Sequence, residues 1–367
     1  IQDKDVTVGY RVEDERGREE AREVSFVVKV PAADAHFEAG GEINESPDCV
    51  IPSIAEWRGG RGSFTLKKDS RIIVDTDSRP SEKGINGETP RPEAEIAGNA
   101  GQAAKADEQA LWDIAALLNE GLGKKLHFRT ELTVCKGTGD DLKPGDIYLG
   151  YADKANGLGE EGYTCDITDK CVIKAENAVG IRWGTVTLLQ MICRGPNLPQ
   201  GQIRDYPLYE VRGFGIDVAR KAVSLDTLYR MMENMSWYKM NDLTIHLNDN
   251  EILATSGLTG SAKQAMTAES AFRLESDVLG AAAGGKAVSP QEYAYTKEEF
   301  AQFIATAKTY GVTVVPEIDT PAHSLAITKL YPEYALRTSN ESVDQIDLGN
   351  DKAVTFVEKI WREALDE

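Results

Sequence analysis

Long apolar runs are missing from this chain: none of its 367 residues falls in a stretch approaching the roughly 18–20 that cross a bilayer. No membrane insertion is expected from it. Basic residues are scarce beside acidic ones, 41 against 60, which gives a net charge of −19. A field of that sign repels phosphate backbones and anionic headgroups, so nucleic acid is set aside as a partner and neutral sugars stay compatible. The opening, Ile1-Gln2-Asp3-Lys4-Asp5, is polar and is no signal peptide; it looks like a cut end.

Cysteine is sparse as well. Cys49, Cys135, Cys165, Cys171 and Cys193 include no CxxC spacing, and an odd count is no disulfide framework. Cys165 and Cys171 flank a predicted turn, DITDK, where either a cross-strand disulfide or two buried thiols would fit. Phosphate loops, dinucleotide fingerprints, a Ser-His-Asp arrangement and zinc-ligand helices are all missing. Asn248-Asp249-Asn250 lacks the rest of a calcium loop. Histidine occurs four times, at His36, His127, His246 and His323.

Hydrophobic residues, by contrast, make up 41% of the chain, enough for a sizeable core. The length suits two or three domains at roughly 100–200 residues each. Residues 1–35 hold two strand-like runs, Val6 to Val12 and Val24 to Val30, joined by EDERGREEAR. A lone hairpin is marginal in water, so this is read as a β remnant of a longer sandwich. It weakly resembles the end of a bacterial immunoglobulin-like module. Residues 36–48 read as an Ala-, Gly- and Glu-rich linker.

Residues 49–206 form the next predicted domain. Strands are expected at Phe64 to Leu66, Arg71 to Val74 and Asp146 to Gly150, helices at Ala110 to Leu122 and Trp183 to Ile192, and a hairpin over Tyr163 to Ile173. Residues 76–106 read as a long exposed loop. Strands and helices do not alternate here, which points to α+β.

From residue 207 the pattern turns to β then α. Val211 to Val218 is a strand, with Asp217 and Arg220 at its exit. Ser224 supplies an N-cap, and Leu225, Leu228, Met231, Met232 and Met235 recur at helical spacing. Leu243 to Leu247 is the next strand, followed by Asn248, Asp249 and Asn250. After an insert over residues 251–296, Thr296 and Glu299 form a capping box for a helix that Gly311 ends. Val312 to Ile318 is the third strand, and Asp351 to Leu365 the third helix. Polar residues gather at the carboxyl ends of all three strands, where α/β enzymes keep their chemistry.

Two readings stand for those polar residues. Glu317 and Asp319 are two apart and share a face, as an acid/base pair would. The plainer reading is a hydrogen-bond and ion-pair network bracing the loops, with Arg220 in it. His246, inside its strand, is expected to point into the lumen and bond there. His323 is either a loop hydrogen bond or part of the chemistry.

The phrases VRGFGIDVAR, YKMNDLTIHLNDN, FRLES and VTVVPEIDTPAHS, in that order, resemble the catalytic barrel of glycoside hydrolase family 20. These are the β-N-acetylhexosaminidases and lacto-N-biosidases. VIPSIAEWRGGRGSFTLKKDSRIIVD and EGYTCDITDKCVIKAENAVGIRWGTVTLLQMI resemble the α+β domain that precedes it, so the likeness runs over residues 50–367. The common HL-x-D-D-Q-G-W is here His246-Leu247-Asn248-Asp249-Asn250-Glu251, and the common PGHS is Pro321-Ala322-His323-Ser324. LNDN with PAHS looks most like the lacto-N-biosidase branch.

The resemblance implies a fold of α/β with α+β: a short β remnant, an α+β domain, and over 207–367 the first three units of a (β/α)8 TIM barrel. A closed barrel takes about 250 residues, so its carboxyl-terminal half is expected as a missing partner. The implied activity is retaining, substrate-assisted exo-hydrolysis of β-linked N-acetylhexosamine glycans. The disaccharide Galβ1,3GlcNAc is the expected product, with single GlcNAc or GalNAc release as the alternative. Arg220 and His246 would bind substrate; Asp249 and His323 would form a relay supporting the catalytic acid. The family's Asp-Glu pair ends the fourth strand, so it is expected beyond Glu367; Asp366-Glu367 closes a helix and is not that pair. No metal or organic cofactor is implied, because the substrate supplies the nucleophile. An extracellular or cell-surface place in a bacterium is expected. The competing class is a non-catalytic glycan-binding protein, if the chain truly ends at Glu367.

Overall fold

The computed structural model describes residues 2–13, 19–30, 44–78, 93–126, 131–152, 157–250, 270–280, 294–337 and 344–366. They form two compact units that divide between Leu208 and Tyr209.

The first unit opens with an antiparallel hairpin, β1 (Gln2–Glu13) and β2 (Glu19–Val30), registered from Gln2 opposite Val30 to Glu13 opposite Glu19. Valine-rich alternation suits this pleat. The predicted linker lies mostly outside the described residues, as do His36 and His127. Its last part is tied down: the Asn44 amide donates to the carbonyls of Gly62 (3.2 Å) and Gln200 (2.9 Å).

A seven-stranded sheet follows. Its strands are β3 (Glu56–Thr65), β4 (Arg71–Val74), β5 (Thr133–Lys136), β6 (Ile147–Tyr151), β7 (Tyr163–Ile167), β8 (Cys171–Ala175) and β9 (Asn197–Asp205), in the order β3-β9-β7-β8-β6-β4-β5. Strands β5, β4, β6 and β8 run parallel; β7 and β9 turn the other half antiparallel. Helices α1 (Glu93–Leu126) and α2 (Ala178–Ile192) pack on it and on each other. Leu111, Ile114, Ala115, Leu118 and Leu122 form the buried stripe of α1. Gly121 permits the close approach of α2, since a Cβ there would meet Leu189 at 2.8 Å.

One expectation is corrected in this unit, and one open choice is decided. Residues 93–106 belong to α1 and are not loop. Their Ala-rich sequence propagates a helix already fixed by the buried stripe, in spite of Gly98 and Gly101. Residues 79–92 of that expected loop lie outside the described residues. The cysteines of the hairpin are free thiols with Sγ atoms 3.6 Å apart, both buried. Cys165 pairs with Ile173, and Cys171 with Ile167, so the two are diagonal neighbours. Diagonal positions are wider than the directly opposed ones that a disulfide prefers.

The second unit comprises β10 (Gly213–Asp217), α3 (Leu225–Trp237), β11 (Asp242–His246), β12 (Asn248–Asn250), β13 (Ser270–Phe272), α4 (Asp277–Gly280), α5 (Lys297–Thr309), β14 (Thr313–Glu317), α6 (Leu325–Thr328) and α7 (Asp351–Asp366). Strands β10, β11 and β14 form a parallel sheet in that order. The Ser224 hydroxyl caps α3 by accepting from the Thr227 N–H, and Thr296 and Glu299 close the capping box of α5. Gly311 takes φ 78° after α5, a backbone conformation that favours glycine. Leu228, Met232 and Met235 of α3 share one core with Leu243, Ile245, Phe300, Phe303, Ala353 and Ile360. The register sets Asp217 beside His246 and His246 beside Glu317. Three polar side chains thus stand in a row at one end of the sheet.

Candidate active site

Asp217 ends β10 and folds the next turn over itself. Its Oδ1 accepts from the backbone N–H groups of Ala219 and Arg220, both at 3.0 Å, and its Oδ2 from Arg220 Nη1 at 2.8 Å. Burial pushes the Asp217 carboxyl up, but the Arg220 backbone and guanidinium bonds outweigh it and hold the group below its ordinary value. The same turn is gripped from behind by Arg273, buried just past β13. Its Nε donates to the carbonyl of Val218 and its Nη2 to that of Ala219, each at 2.9 Å. Strand β13 stands there because it pairs antiparallel with β12, with Asp249 opposite Ala271.

Asp249 is the hub. Its side chain is 1% exposed and pairs with Arg220 Nη2. Its Oδ2 lies 3.0 Å from His246 Nε2, and its Oδ1 3.0 Å from His323 Nδ1. The Asn250 N–H also donates to Oδ1, at 2.6 Å. A carboxylate this enclosed stays tolerable because several donors and a cation surround it. The far nitrogen of His246, Nδ1, lies 2.7 Å from Glu317 Oε1. Burial works against a charged His246, yet the hydrogen bonds to Asp249 and Glu317 prevail and raise its pKa above 6.5. With a carboxylate on each nitrogen, both nitrogens serve as donors in the imidazolium. The rings of His246 and His323 meet edge to face, with centroids 6.4 Å apart.

Asn248, fully buried, braces the loop after β14. Its Nδ2 donates to the carbonyls of Asp319 (2.9 Å) and His323 (3.2 Å), and its Oδ1 accepts from the Asp319 N–H (2.7 Å). Ligand atoms of His246, Glu317 and Asp319 lie within 4.8 Å of one another. A cation there would have to displace the His246–Glu317 or His246–Asp249 bond.

The four residues singled out from sequence, Arg220, His246, Asp249 and His323, therefore meet in one cluster, with Asp217 and Glu317 joined to it. The network reading of the carboxylates describes them: Glu317 is bonded to a histidine, and Arg220 to two aspartates. Arg273 and Asn248 were not picked out as site residues, although they sit inside the phrases FRLES and LNDN. The hydrogen bonds given above for both go to main-chain groups, and no spacing rule encodes those. Arg220 is 30% exposed and His323 45%, so the cluster keeps an open side. The Arg220 Nε has no protein partner among the described residues. Chemically, the arrangement offers N–H donors of a fixed guanidinium and a half-exposed imidazole backed by a carboxylate.

Both units match known proteins. The family model described as glycosyl hydrolase family 20, catalytic domain, matches residues 209–366, and that for domain 2 of the same family matches residues 49–206. A lacto-N-biosidase of Bifidobacterium bifidum is 22% identical over 327 residues, covering 88% of this chain and 23% of that protein. A β-hexosaminidase of Vibrio furnissii is 30% identical over 222 residues, covering 55% of this chain and 33% of that protein. Among solved structures, the β-N-acetylhexosaminidase of Streptomyces coelicolor superposes with a TM-score of 0.60 at 23% identity, over 86% of this chain and 57% of that one. An exo-β-N-acetylglucosaminidase of Vibrio harveyi, in complex with N-acetylglucosamine, gives 0.59 at 20% identity, over 98% and 50%. The chain thus spans less than two thirds of each of these relatives. The fold they share with it is a TIM-barrel catalytic domain with a domain before it.

Proposed function

Because the chain belongs to glycosyl hydrolase family 20, we propose that it supplies the sugar-holding side of an exo-acting glycosidase for β-linked N-acetylhexosamine glycans. The observation that carries this reading is the Arg220–Asp249–His323 cluster at the carboxyl ends of parallel strands. A planar guanidinium fixed by two carboxylates suits the vicinal hydroxyls of a terminal N-acetylhexosamine. His246, bridging Asp249 and Glu317, fixes the floor of that subsite.

The reaction we infer is retaining and substrate-assisted. The acetamido oxygen attacks the anomeric carbon as the leaving oxygen takes a proton, and water then opens the oxazolinium. Among the described residues of 209–366 no Asp-Glu pair follows a strand, and we assign the general acid to a fourth strand of the barrel. The three β/α units are read as the first of eight, and the chain divides as 1–35, 36–48, 49–206 and 207–367. His323, bonded to Asp249, is assigned to orient the acid across the cleft. The LNDN and PAHS phrases support release of Galβ1,3GlcNAc, the lacto-N-biosidase outcome, over release of one sugar. The hairpin ahead of the catalytic unit supports an extracellular or cell-surface place in a bacterium.

Replacing Arg220 by Ala tests the subsite. Affinity for N-acetylglucosamine, measured by calorimetry, is expected to fall about tenfold or more, as loss of hydrogen bonds to charged donors implies. Unchanged affinity with lowered stability would leave Arg220 a purely structural ion pair. In the full-length protein, release of free GlcNAc from a chitobioside would refute the disaccharide preference. Sugar binding with no turnover at all would favour a glycan-binding protein.

A further inference from the structure

Asn248 and Asp249 are consecutive, and both hold His323. Asp249 takes the imidazole, with Oδ1 3.0 Å from Nδ1. Asn248 takes the main chain, with Nδ2 3.2 Å from the His323 carbonyl oxygen. The Asn248 amide also binds the start of the same loop, at both the carbonyl and the N–H of Asp319. Two carbonyls fix its NH2 end, so its orientation in the site is determined. The loop it closes is not relaxed: His323 stands at φ 54°, an uncommon region for a residue with a Cβ. Such a backbone persists only where its surroundings over-determine it. Ser324 contributes from the other side, its hydroxyl donating to the Ala322 carbonyl at 2.9 Å.

We propose that Asn248 is a positioning residue for the hydrolytic reaction, locking the Asp319–Ser324 loop so that the His323 imidazole meets Asp249 in one geometry. The proposal rests on the family 20 reading above and adds to it a residue whose side chain touches no substrate. Asn248 is fully buried, and its named bonds all go to main-chain atoms of that one loop. It therefore acts on chemistry only through what the loop carries. His323 is the loop's one member bonded to the buried carboxylate.

The test is a double-mutant cycle in the full-length protein, on an aryl glycoside of the preferred sugar. Asn248→Ala is expected to lower kcat about 10- to 100-fold, the cost of misplacing a group by an ångström or less, with KM within about twofold. Adding it to His323→Ala is expected to cost little more than His323→Ala alone, since both remove one function. Additive losses, or an unchanged kcat in Asn248→Ala, would overturn the proposal. Asn248→Ser, smaller but still polar, keeps the cycle open if the alanine variant does not fold, and melting curves identify that case. Histidine ring spectra of the chain give a second readout that needs no turnover. The His323 signals are expected to move in both Asn248→Ala and Asp249→Asn; signals unmoved in Asn248→Ala would also overturn it. If wild type hydrolyses nothing, the reaction assignment fails, and the spectra alone decide whether Asn248 places the ring.

Discussion

Arg220 grips two aspartates at once, Asp217 through Nη1 and Asp249 through Nη2. One of them is partly exposed and the other is sealed from water, at 34% and 1% of side-chain area. That difference sets the direction of the charge argument. Removing Asp217 leaves Arg220 its buried partner, whereas removing Asp249 takes a carboxylate from a guanidinium and two imidazoles at once.

Asp249→Ala is accordingly expected to destabilise the second unit by about 1.5–3 kcal/mol, the range for hydrogen bonds to a charged group. Asp217→Ala should cost distinctly less, because solvent screens its pair. Urea melts followed by tryptophan fluorescence compare the two. Equal losses would show that Asp249 is not the centre of the cluster.

The pH dependence follows from His246 and Asp217 with opposite signs. His246 has a raised pKa in the fold, so its contribution is complete below its ordinary value of 6.5 and is lost as pH rises through the raised value. Asp217 has a lowered pKa, so its contribution is present above its ordinary 3.8 and is lost as pH falls through the lowered value. The stability gap between wild type and His246→Gln should therefore be widest at mildly acidic pH and shrink toward alkaline pH. Glu317→Gln, which leaves His246 only one carboxylate, should lower the His246 pKa in a ring-proton titration.

Much of this site was legible because local chemistry and tertiary structure agree at its frame. Ser224 and Thr296 read as caps and are caps; the Met-rich stripe of α3 reads as buried and packs inward. A period of two or of three to four survives in any alignment of apolar residues with a core. The unread parts break that link. β9, NLPQGQIRD, hides its alternation of Gly201, Ile203 and Asp205 behind a proline and two glutamines, and is a strand because β3 and β7 flank it. Asn248–Asn250 reads only as polar residues past a strand end and becomes a strand because Ser270–Phe272 returns beside it. The hold of Arg273 on Val218 and Ala219 spans more than fifty residues and ends on backbone oxygens, which carry no residue identity.

The thiol pair gives a prediction independent of function. Cys165 and Cys171 are buried, while Cys193 is exposed. A maleimide should modify Cys193 in the native protein and reach the other two only after denaturation, since thiolate formation and access are both suppressed by burial. Hydrogen bonding to Cys171 and burial both push the Cys165 thiol up, in the same direction. Counting the adducts by intact mass, before and after urea, checks it. Two fewer reactive thiols in urea than the five present would mean that the pair is oxidised.

Arg273 carries the last prediction. A buried guanidinium bonded to backbone carbonyls is costly to keep unless it fixes something, and what it fixes is the turn that presents Arg220. Arg273→Met fills similar volume but leaves the Val218 and Ala219 carbonyls without those donors, at about 1–3 kcal/mol for each buried group. Stability should fall by a few kcal/mol on that account. Sugar affinity should fall as well, because the Arg220 backbone N–H bonds Asp217 from within that turn. Arg273→Lys retains the charge but lacks the two-pronged fork, and should recover less than half of either loss. Calorimetric titration with N-acetylglucosamine, beside thermal melts of the same samples, separates the two effects. A variant that melts early yet binds sugar as wild type does would confine Arg273 to the fold and leave Arg220 held by its two aspartates alone.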